Sequence, residues 1–154
     1  MKILFICTAN ICRSVIAEGI LKKLLLVHTG AYAIQVQSAG VDALVGITPD
    51  RNTSEVCNEH YIDVESHKAQ QLTIEMLEET DIVLCMENNQ KERILNAFPK
   101  YIEKIFLLKN YRRESPVEEA FIEDPIGKSK EHYEECFNEI NEEVQRIVTL
   151  ILSD

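Results

Sequence analysis

The first feature of the chain that predicts chemistry is a cysteine followed six residues later by an arginine, between an apolar run and a helical pattern. Backbone N–H groups in a tight loop or at a helix N-terminus bind anions, and the same field stabilises a thiolate. A guanidinium group that closes such a loop matches the oxygens of a phosphate. The pattern therefore predicts a nucleophilic thiol, Cys7, beside a phosphate-binding loop formed by Thr8, Ala9, Asn10, Ile11, Cys12, Arg13 and Ser14.

The Cys-x5-Arg spacing is a weak signal when it stands alone, because a cysteine that ends a strand is commonly a small buried apolar residue. In this chain the apolar run 2–6 precedes Cys7, Ser14 follows the arginine, and a helical pattern starts immediately afterwards. This context favours a phosphatase site over a simple packing role for the thiol.

Length and charge indicate a single acidic domain. The chain has 154 residues and a formal net charge of −10, so we expect one domain over residues 1–154. The charge argues against a nucleic acid or an anionic membrane surface as the partner, because both require a basic face. The sequence has neither a stretch of membrane-spanning length nor a signal-peptide pattern, and we therefore expect a cytoplasmic protein.

Five cysteines occur at spacings that fit neither a zinc site nor the disulfide framework of a secreted domain: Cys7, Cys12, Cys57, Cys85 and Cys136. A reducing compartment is the simpler interpretation. Cys7 and Cys12 belong to one tight loop, so two alternatives stay open for Cys12: a reversible disulfide that protects the nucleophile, or a packing role. The four histidines have no ligand-like spacing, and we expect no metal and no cofactor.

Strands and helices alternate along the chain, which predicts a three-layer α/β sandwich with a central four-stranded parallel sheet. The last helix has the clearest pattern, with apolar residues at spacings of four and three. Ligands of such folds bind beyond the carboxyl ends of the strands, where Cys7 lies. The predicted strands are 2–7, 34–38, 81–86 and 104–107, and the predicted helices are 13–28, 48–60, 72–78, 88–97 and 129–152.

A cysteine-based phosphatase needs an acid that protonates the leaving oxygen and later a base that activates water. Asp124 is the best candidate, because it lies in a loop between the last strand and the last helix, at the edge that carries Cys7. Pro125 stiffens this loop and Gly127 permits an unusual turn. An Asp-Pro pair often marks only a turn, and Glu123 is the rival acid.

These motifs resemble those of the low-molecular-weight protein tyrosine phosphatases, whose active-site loop is Cys-x-Gly-Asn-x-Cys-Arg-Ser. The resemblance implies the flavodoxin-like fold of that family. It also implies a phosphatase that acts without metal on phosphotyrosine in phosphoproteins or on small phosphoesters. Nearly the whole chain contributes to it, through Cys7 to Ser14, Ala17-Glu18, Ser38-Ala39-Gly40, His67 before Gln71-Leu72, Asp81 to Met86, and Asp124-Pro125.

The resemblance also implies a role for each residue of the site. Cys7 would attack phosphorus and form a phosphocysteine, and Asp124 would protonate the leaving group and then assist water. Arg13 and the N–H groups of residues 8–14 would stabilise the equatorial oxygens. Ser14 would donate a hydrogen bond to the Cys7 sulfur. The loop would be supported by Asn10, Ser14, Ser38 and His67.

Two departures from the family pattern concern the loop backbone and the substrate rim. Ala9 stands where the family has glycine, so we expect either a negative φ at this residue or some backbone strain. Leu44 and Ile126 form the expected rim, which lacks the aromatic residues that family members acting on phosphotyrosine often carry. The second departure bears on phosphotyrosine specificity and leaves the catalytic atoms intact.

Two alternative activities belong to related proteins. Thiol-linked arsenate reductases share the loop and an Asp-Pro-x-Gly-Lys motif like that of residues 124–128, but they use two further cysteines after the third strand. Cys85 is a candidate for one of these cysteines, whereas Glu92 stands where its partner would be expected. Phosphoarginine phosphatases tend to have threonine at the position of Ile11. A bulky apolar residue there favours a phosphate ester as substrate.

A third alternative belongs to another functional class, a non-catalytic phosphate-binding or phosphocarrier domain. Such a protein would not need both Arg13 and Asp124 at its anion site. The presence of both residues favours a hydrolase.

Overall fold

The computed structural model describes residues 1–28 and 33–153. A four-stranded sheet lies at its centre, with the strand order β2-β1-β3-β4 and parallel pairing between all neighbours. The central strand β1 is apolar on both faces, as expected for a strand buried between two layers of helices. The strands are β1 (Lys2–Cys7), β2 (Gln35–Gly40), β3 (Ile82–Cys85) and β4 (Ile105–Leu107).

Helices cover both faces of this sheet. Those of the described residues are α1 (Arg13–Leu25), α2 (Arg51–Glu59), α3 (Ile74–Glu79), α4 (Asn88–Ala97) and α5 (Lys130–Ile151). Helices α1, α2 and α5 pack on one face, and α3 and α4 pack on the other. Short 3₁₀ helices, Pro99–Lys104 and Leu108–Asn110, precede and follow β4. The predicted three-layer α/β sandwich with four parallel strands is confirmed.

The packing of α5 follows its sequence period. The side chains that recur at spacings of four and three are all buried in the same core cluster as α1. Burying a large apolar side chain contributes roughly 1.5–3 kcal/mol, so this face holds the helix against the sheet. The helix is therefore fixed on the same face of the sheet as α1. Its buried periodic residues are Tyr133, Phe137, Ile140, Val144, Ile147 and Ile151.

Two predicted helix boundaries were wrong. Helix α1 ends at Leu25 and not at residue 28, because Leu26 and Val27 extend the apolar pattern by composition while their side chains are exposed. Helix α2 begins at Arg51 and not near residue 48, because Asp50 has the extended backbone of an N-cap (φ −54°, ψ 143°). Pro49 therefore lies before the helix.

The remaining differences are smaller. The helix predicted over 72–78 is α3, which begins after Thr73, whose hydroxyl accepts a hydrogen bond from the N–H of Met76 at 3.3 Å. The 3₁₀ helices were not predicted, because such short elements have no apolar period of their own. In the described ranges, no helix is both long and apolar enough to span a bilayer.

Candidate active site

The loop of residues 8–12 joins the end of the central strand to the start of α1, so that it lies at the carboxyl edge of the sheet. Cys7 is the last residue of β1 and is paired with Gly40 at the end of β2. The segment that follows β2 is hydrogen-bonded to the start of this loop. Val41 N–H donates to the carbonyl of Cys7 at 3.1 Å, and Asp42 N–H donates to the carbonyl of Thr8 at 2.9 Å. Two strand ends therefore fix the base of the loop.

The Cys7 thiol contacts a hydroxyl inside the loop. Its Sγ lies 2.9 Å from the Oγ of Ser14, and both residues are buried, with exposed fractions of 3% for Cys7 and 0% for Ser14. The amide of Asn10 donates to the same Ser14 hydroxyl at 2.8 Å. With its oxygen engaged in this way, the Ser14 hydroxyl has its proton available for the sulfur, and a donated hydrogen bond stabilises a thiolate.

Asn10 is the centre of the loop support. It is fully buried and adopts a left-handed backbone conformation with φ of 57°, which asparagine tolerates better than most residues. Its amide also donates to Ser38 Oγ at 2.9 Å, and its side-chain oxygen accepts from the N–H of Gln70 at 3.0 Å. Ala9 is not among the residues of the described chain that have a positive φ, so alanine replaces the family's glycine there without this strain.

Further side chains form hydrogen bonds with Asn10 or with its partner Ser38. His67 Nε2 hydrogen-bonds the carbonyl of Asn10 at 2.9 Å, as expected for a supporting residue. The Ser38 hydroxyl donates to the carboxylate of Glu18 at 2.5 Å, and the Gln70 amide donates to the Ser38 carbonyl at 2.8 Å. The sequence did not identify Glu18 or Gln70 as supports, although Glu18 follows the loop by one helical turn. The loop is thus held by α1, β2 and the segment near residue 70.

Arg13 is buried and faces two carboxylates. Its Nη1 donates to the carbonyl of Ile122 at 2.8 Å, which orients the guanidinium group. The same Nη1 lies 3.5 Å from Oε1 of Glu87, and Nη2 lies 3.6 Å from Oδ2 of Asp124. Glu87 was not predicted from the sequence. Glu87 is the second residue after β3, and it comes close to Arg13 because β3 is paired with the central strand.

The two candidate acids of the 123–124 pair differ in their surroundings. Asp124 is directed to Arg13, and its Oδ1 accepts a hydrogen bond from the N–H of Ile126 at 3.1 Å. Glu123 is exposed and forms a hydrogen-bonded ion pair with Lys128, which lowers the pKa of the Glu123 carboxyl. Asp124 faces the arginine of the loop, whereas Glu123 is paired with Lys128, and this difference in position favours Asp124 over Glu123.

The absence of a side chain at Gly40 leaves room for the backbone of the loop. A Cβ atom at this position would lie 2.5 Å from the carbonyl oxygen of Thr8 and 3.0 Å from the backbone nitrogen of Asn10. Real Cβ atoms essentially never show the first of these distances, and the second is tighter than most real Cβ contacts. The glycine that ends β2 is therefore required by close backbone approach.

The thiol that ends β1, the loop after it, the buried arginine and the aspartate that faces this arginine lie at the carboxyl edge of the sheet, and a loop backbone with a guanidinium group is a combination that can bind a tetrahedral oxyanion. A family model described as low molecular weight phosphotyrosine protein phosphatase matches residues 2–154. The chain belongs to this family. The phosphatase fold and the enzyme class expected from the sequence are confirmed.

Relatives of this phosphatase include enzymes with different named substrates. A probable low molecular weight protein-tyrosine-phosphatase, AmsI, from Erwinia amylovora is 31% identical over 97% of this chain and 96% of its own. A protein-arginine-phosphatase from Bacillus subtilis is 31% identical over 100% and 99% of the two chains. The solved YwlE arginine phosphatase from Geobacillus stearothermophilus superposes with a TM-score of 0.89 at 30% identity, over 99% of this chain and 93% of that one.

Every cysteine of the phosphatase is a free thiol. Cys12 faces α5, where a hydrogen bond with the Cys136 thiol and burial raise the pKa of Cys12. This contact is a packing role, and a disulfide between Cys7 and Cys12 stays a prediction. Burial raises the pKa of Cys85 to about 12, so the thiolate that arsenate reduction requires is strongly disfavoured there. Glu92, where a second such cysteine was expected, accepts a hydrogen bond from Asn88 at 2.7 Å.

The predicted rim residues lie on separate loops and are both exposed. Leu44 is 71% exposed in the loop after β2, and Ile126 is 41% exposed two residues after Asp124. Across residues 1–28 and 33–153, no three His, Cys, Asp or Glu side chains converge as metal ligands would.

Proposed function

We propose that residues 1–154 form a single cytoplasmic phosphatase domain that hydrolyses phosphate monoesters through a phosphocysteine, with phosphotyrosine in proteins as the main substrate. The observation that carries the proposal is the 2.9 Å contact between Cys7 Sγ and Ser14 Oγ, in a loop whose arginine faces Asp124 at 3.6 Å. A nucleophile, an oxyanion site and an acid thus share one pocket.

The first step transfers the phosphoryl group to sulfur. The phosphate is bound by Arg13 and the N–H groups of residues 8–14, and Cys7 Sγ forms a bond to phosphorus as the bond to the ester oxygen breaks. Asp124 donates its proton to that leaving oxygen. The fixed N–H donors stabilise the charge on the equatorial oxygens, and such electrostatic stabilisation usually accounts for most of the acceleration of phosphoryl transfer.

The second step releases inorganic phosphate. The Asp124 carboxylate accepts a proton from water, the water oxygen bonds to phosphorus, and the sulfur–phosphorus bond breaks. The Ser14 hydroxyl stabilises the departing thiolate, and a hydrogen bond to a charged group contributes about 1.5–3 kcal/mol. Asn10, Ser38 and His67 hold the loop in place through both steps.

The proposal is tested with para-nitrophenyl phosphate between pH 5 and 8, in reducing buffer without metal. We expect the wild type to turn over and Cys7→Ser to be inactive. Asp124→Asn should lower kcat by about 10²–10⁴-fold, the usual contribution of a positioned acid or base. Glu123→Gln is the matched control and should remain within about twofold of the wild type. A wild type without activity would refute the proposal.

The same variants separate an enzyme from a phosphate-binding domain. In a hydrolase, Asp124→Asn loses turnover but still binds inorganic phosphate, as measured by calorimetry. Unchanged turnover in this variant would mean that another group is the acid. Phosphate binding by a wild-type protein that lacks turnover would favour the non-catalytic alternative.

Phosphoarginine in proteins is the second candidate substrate. It is supported by the similarity to the Bacillus subtilis protein-arginine-phosphatase, which extends over the whole chain. Ile11, where phosphoarginine phosphatases tend to have threonine, argues for the phosphotyrosine ester. Two peptides of the same length, one with phosphotyrosine and one with phosphoarginine, decide between them by the ratio of kcat/KM.

A further inference from the structure

Two consecutive carbonyl groups of the loop of residues 8–12 accept hydrogen bonds from donors outside the loop. Nε2 of His67 donates to the carbonyl of Asn10 at 2.9 Å. The N–H of Asp50 donates to the carbonyl of Ile11 at 3.1 Å. These carbonyl groups therefore face the elements that surround the loop.

The N–H groups of the loop are turned the other way. In a trans peptide, the carbonyl of one residue and the N–H of the next residue point in opposite directions. The N–H groups of Ile11 and Cys12 therefore point towards the inside of the loop. The hydrogen bonds agree with this orientation, because within the described ranges no group accepts a hydrogen bond from the N–H groups of residues 8–12. These are donors that the proposed mechanism assigns to the phosphate oxygens.

The peptide between Ile11 and Cys12 is the last one before α1. On its far side, the carbonyl of Cys12 accepts a hydrogen bond from the N–H of Ile16 in the helix at 2.9 Å. On its near side, the carbonyl of Ile11 is held by Asp50. Asp50 therefore fixes the peptide at which the loop passes into α1, where the N–H of Cys12 adds to the positive end of the helix dipole.

Asp50 supplies this donor from the N-cap position of α2, with φ of −54° and ψ of 143°. The carbonyl of an N-cap residue belongs to the helix, and here it accepts from the N–H of Ser54 at 3.0 Å. The N–H of the same residue lies outside the helical hydrogen bonds, so that it is available to Ile11. The Asp50 carboxylate forms no cap hydrogen bond with α2. The backbone of Asp50 is therefore its link to the loop.

Neighbouring residues hold Asp50 in this place. Pro49, directly before it, is buried, and the fixed φ of proline restricts the turn. Tyr133 of α5 is 1% exposed, and its burial and the nearby Asp50 carboxylate raise the pKa of its phenol. The donor thus lies between α2 and α5, and packed residues fix its direction.

We propose that Asp50 is a positioning residue of the phosphate site: its N–H holds the carbonyl of Ile11 and thereby directs the N–H of Cys12 at an oxygen of the bound phosphate. The inference rests on the proposed function and extends the phosphate site to α2, which carries none of the groups expected to touch the substrate. Proline is the residue type that lacks a backbone N–H, so a single substitution can remove this donor.

The test compares Asp50→Pro with Asp50→Ala. Both variants lose the carboxylate, and only the first loses the N–H. The φ of −54° lies in the range that proline adopts, and the lost N–H takes no part in α2, so we expect Asp50→Pro to fold. The measurements are the inhibition constant of inorganic phosphate, kcat/KM for para-nitrophenyl phosphate, and the free energy of unfolding in urea.

Relative to Asp50→Ala, we expect Asp50→Pro to raise the inhibition constant of phosphate about 10–100-fold and to lower kcat/KM by a similar factor. A misdirected donor loses a hydrogen bond to a charged group, and such a bond accounts for a factor of this size. The inhibition constant does not depend on the fraction of the enzyme that is folded, so general destabilisation leaves it unchanged. Inhibition constants of the two variants within about twofold of each other would overturn the inference.

Ser129→Pro is the matched control, because Ser129 is the N-cap residue of α5 and has φ of −68°. Its N–H donates to no described residue, so a proline at this N-cap should keep the wild-type inhibition constant. A rise that Ser129→Pro shares would overturn the inference and leave the proposed function standing. A wild type that does not hydrolyse para-nitrophenyl phosphate would instead refute the proposed function.

Hydrogen exchange in the wild type gives a second measurement that needs no substitution. The binding of phosphate and the hydrogen bond between Asp50 and Ile11 should strengthen each other by the same factor. Saturating inorganic phosphate should therefore slow the exchange of the Asp50 N–H about 10–100-fold. The N–H of Ala69, which donates to the carbonyl of Ile47 at 2.9 Å, is the internal control and should slow less. Equal slowing at both sites, or no slowing at Asp50, would overturn the inference.

Discussion

Replacing Gly40 with alanine places a methyl group directly behind the phosphate loop. The added Cβ would lie 2.5 Å from the carbonyl oxygen of Thr8, 3.0 Å from the carbonyl carbon of Ala9 and 3.0 Å from the nitrogen of Asn10. All three atoms belong to the loop backbone, so no side chain can rotate away to make room. We expect the loop to be pushed away from the end of β2.

The size of this displacement follows from the contact distances. Ordinary contact begins at 3.4 Å, so the closest contact is about 0.9 Å too short. A misplacement of about 1 Å at a reacting centre costs up to about 10²-fold in rate, or about 2.7 kcal/mol of transition-state stabilisation. Added volume in a close-packed site costs about 1–3 kcal/mol of unfolding free energy.

The assay measures three quantities for Gly40→Ala: kcat/KM for para-nitrophenyl phosphate, the inhibition constant of inorganic phosphate, and the free energy of unfolding in urea. Gly19→Ala is the matched control. Its Cβ would lie 2.6 Å from Cγ2 of Ile62, so this variant also introduces a close contact, but with a side chain outside the phosphate loop. Gly19 lies inside α1, where alanine is the better helix former. Its kcat/KM should stay within about twofold of the wild type.

The reasoning would be refuted by a folded Gly40→Ala variant with wild-type turnover and phosphate affinity. Such a result would mean that the loop adapts without moving its N–H donors. A fall in turnover shared by Gly19→Ala would also refute it, because the loss would then follow from general destabilisation.

Three further predictions concern the pocket. Ser14→Ala should lower kcat by about 10–100-fold, because the thiolate loses a hydrogen bond as it leaves. Rapid-mixing measurements should show that more phosphoenzyme accumulates. A kcat within about twofold of the wild type would contradict this prediction. Glu87→Gln should tighten phosphate binding a few-fold, because it removes a carboxylate that lies 3.5 Å from Arg13. Glu92→Gln is the control and should leave phosphate binding unchanged. Weaker binding in Glu87→Gln would show that Glu87 mainly orients the arginine. Ile11→Thr should raise phosphoarginine hydrolysis relative to phosphotyrosine, and an unchanged ratio would remove Ile11 as a determinant.

Much of the fold follows from local patterns. The alternation of buried strands with amphipathic helices was sufficient for the sheet, and the period of α5 located its buried face. The ends of α1 and α2 were misplaced for one common reason. Apolar Leu26 and Val27 continue a pattern without being buried, and Asp50, which follows Pro49, occupies the N-cap position of α2. Patterns describe the interior of an element better than its ends.

The loop of the candidate site could be identified because its residues are adjacent in sequence. Ser38 and His67 lie far from the loop in sequence and were named only because the resemblance implied them, and both contact Asn10. Glu87 was missed because it lies 74 residues beyond Arg13, and only the strand order brings β3 beside β1. The contact between Cys12 and Cys136 joins residues still further apart. Interactions that depend on which strands and helices are neighbours cannot be found from spacing alone.

The charges around the pocket explain why loop geometry should matter more than any single side chain. Arg13 contributes one positive charge, but Glu87 and Asp124 lie 3.5 and 3.6 Å from it. The side chains therefore leave no excess of positive charge for a phosphate dianion, in a chain whose net charge is −10. The attraction must come from the aligned N–H groups of the loop and of the α1 N-terminus. It follows that moving those N–H groups, as in Gly40→Ala, should change phosphate affinity more than removing the Glu87 charge. The opposite order would make Arg13 the main source of binding.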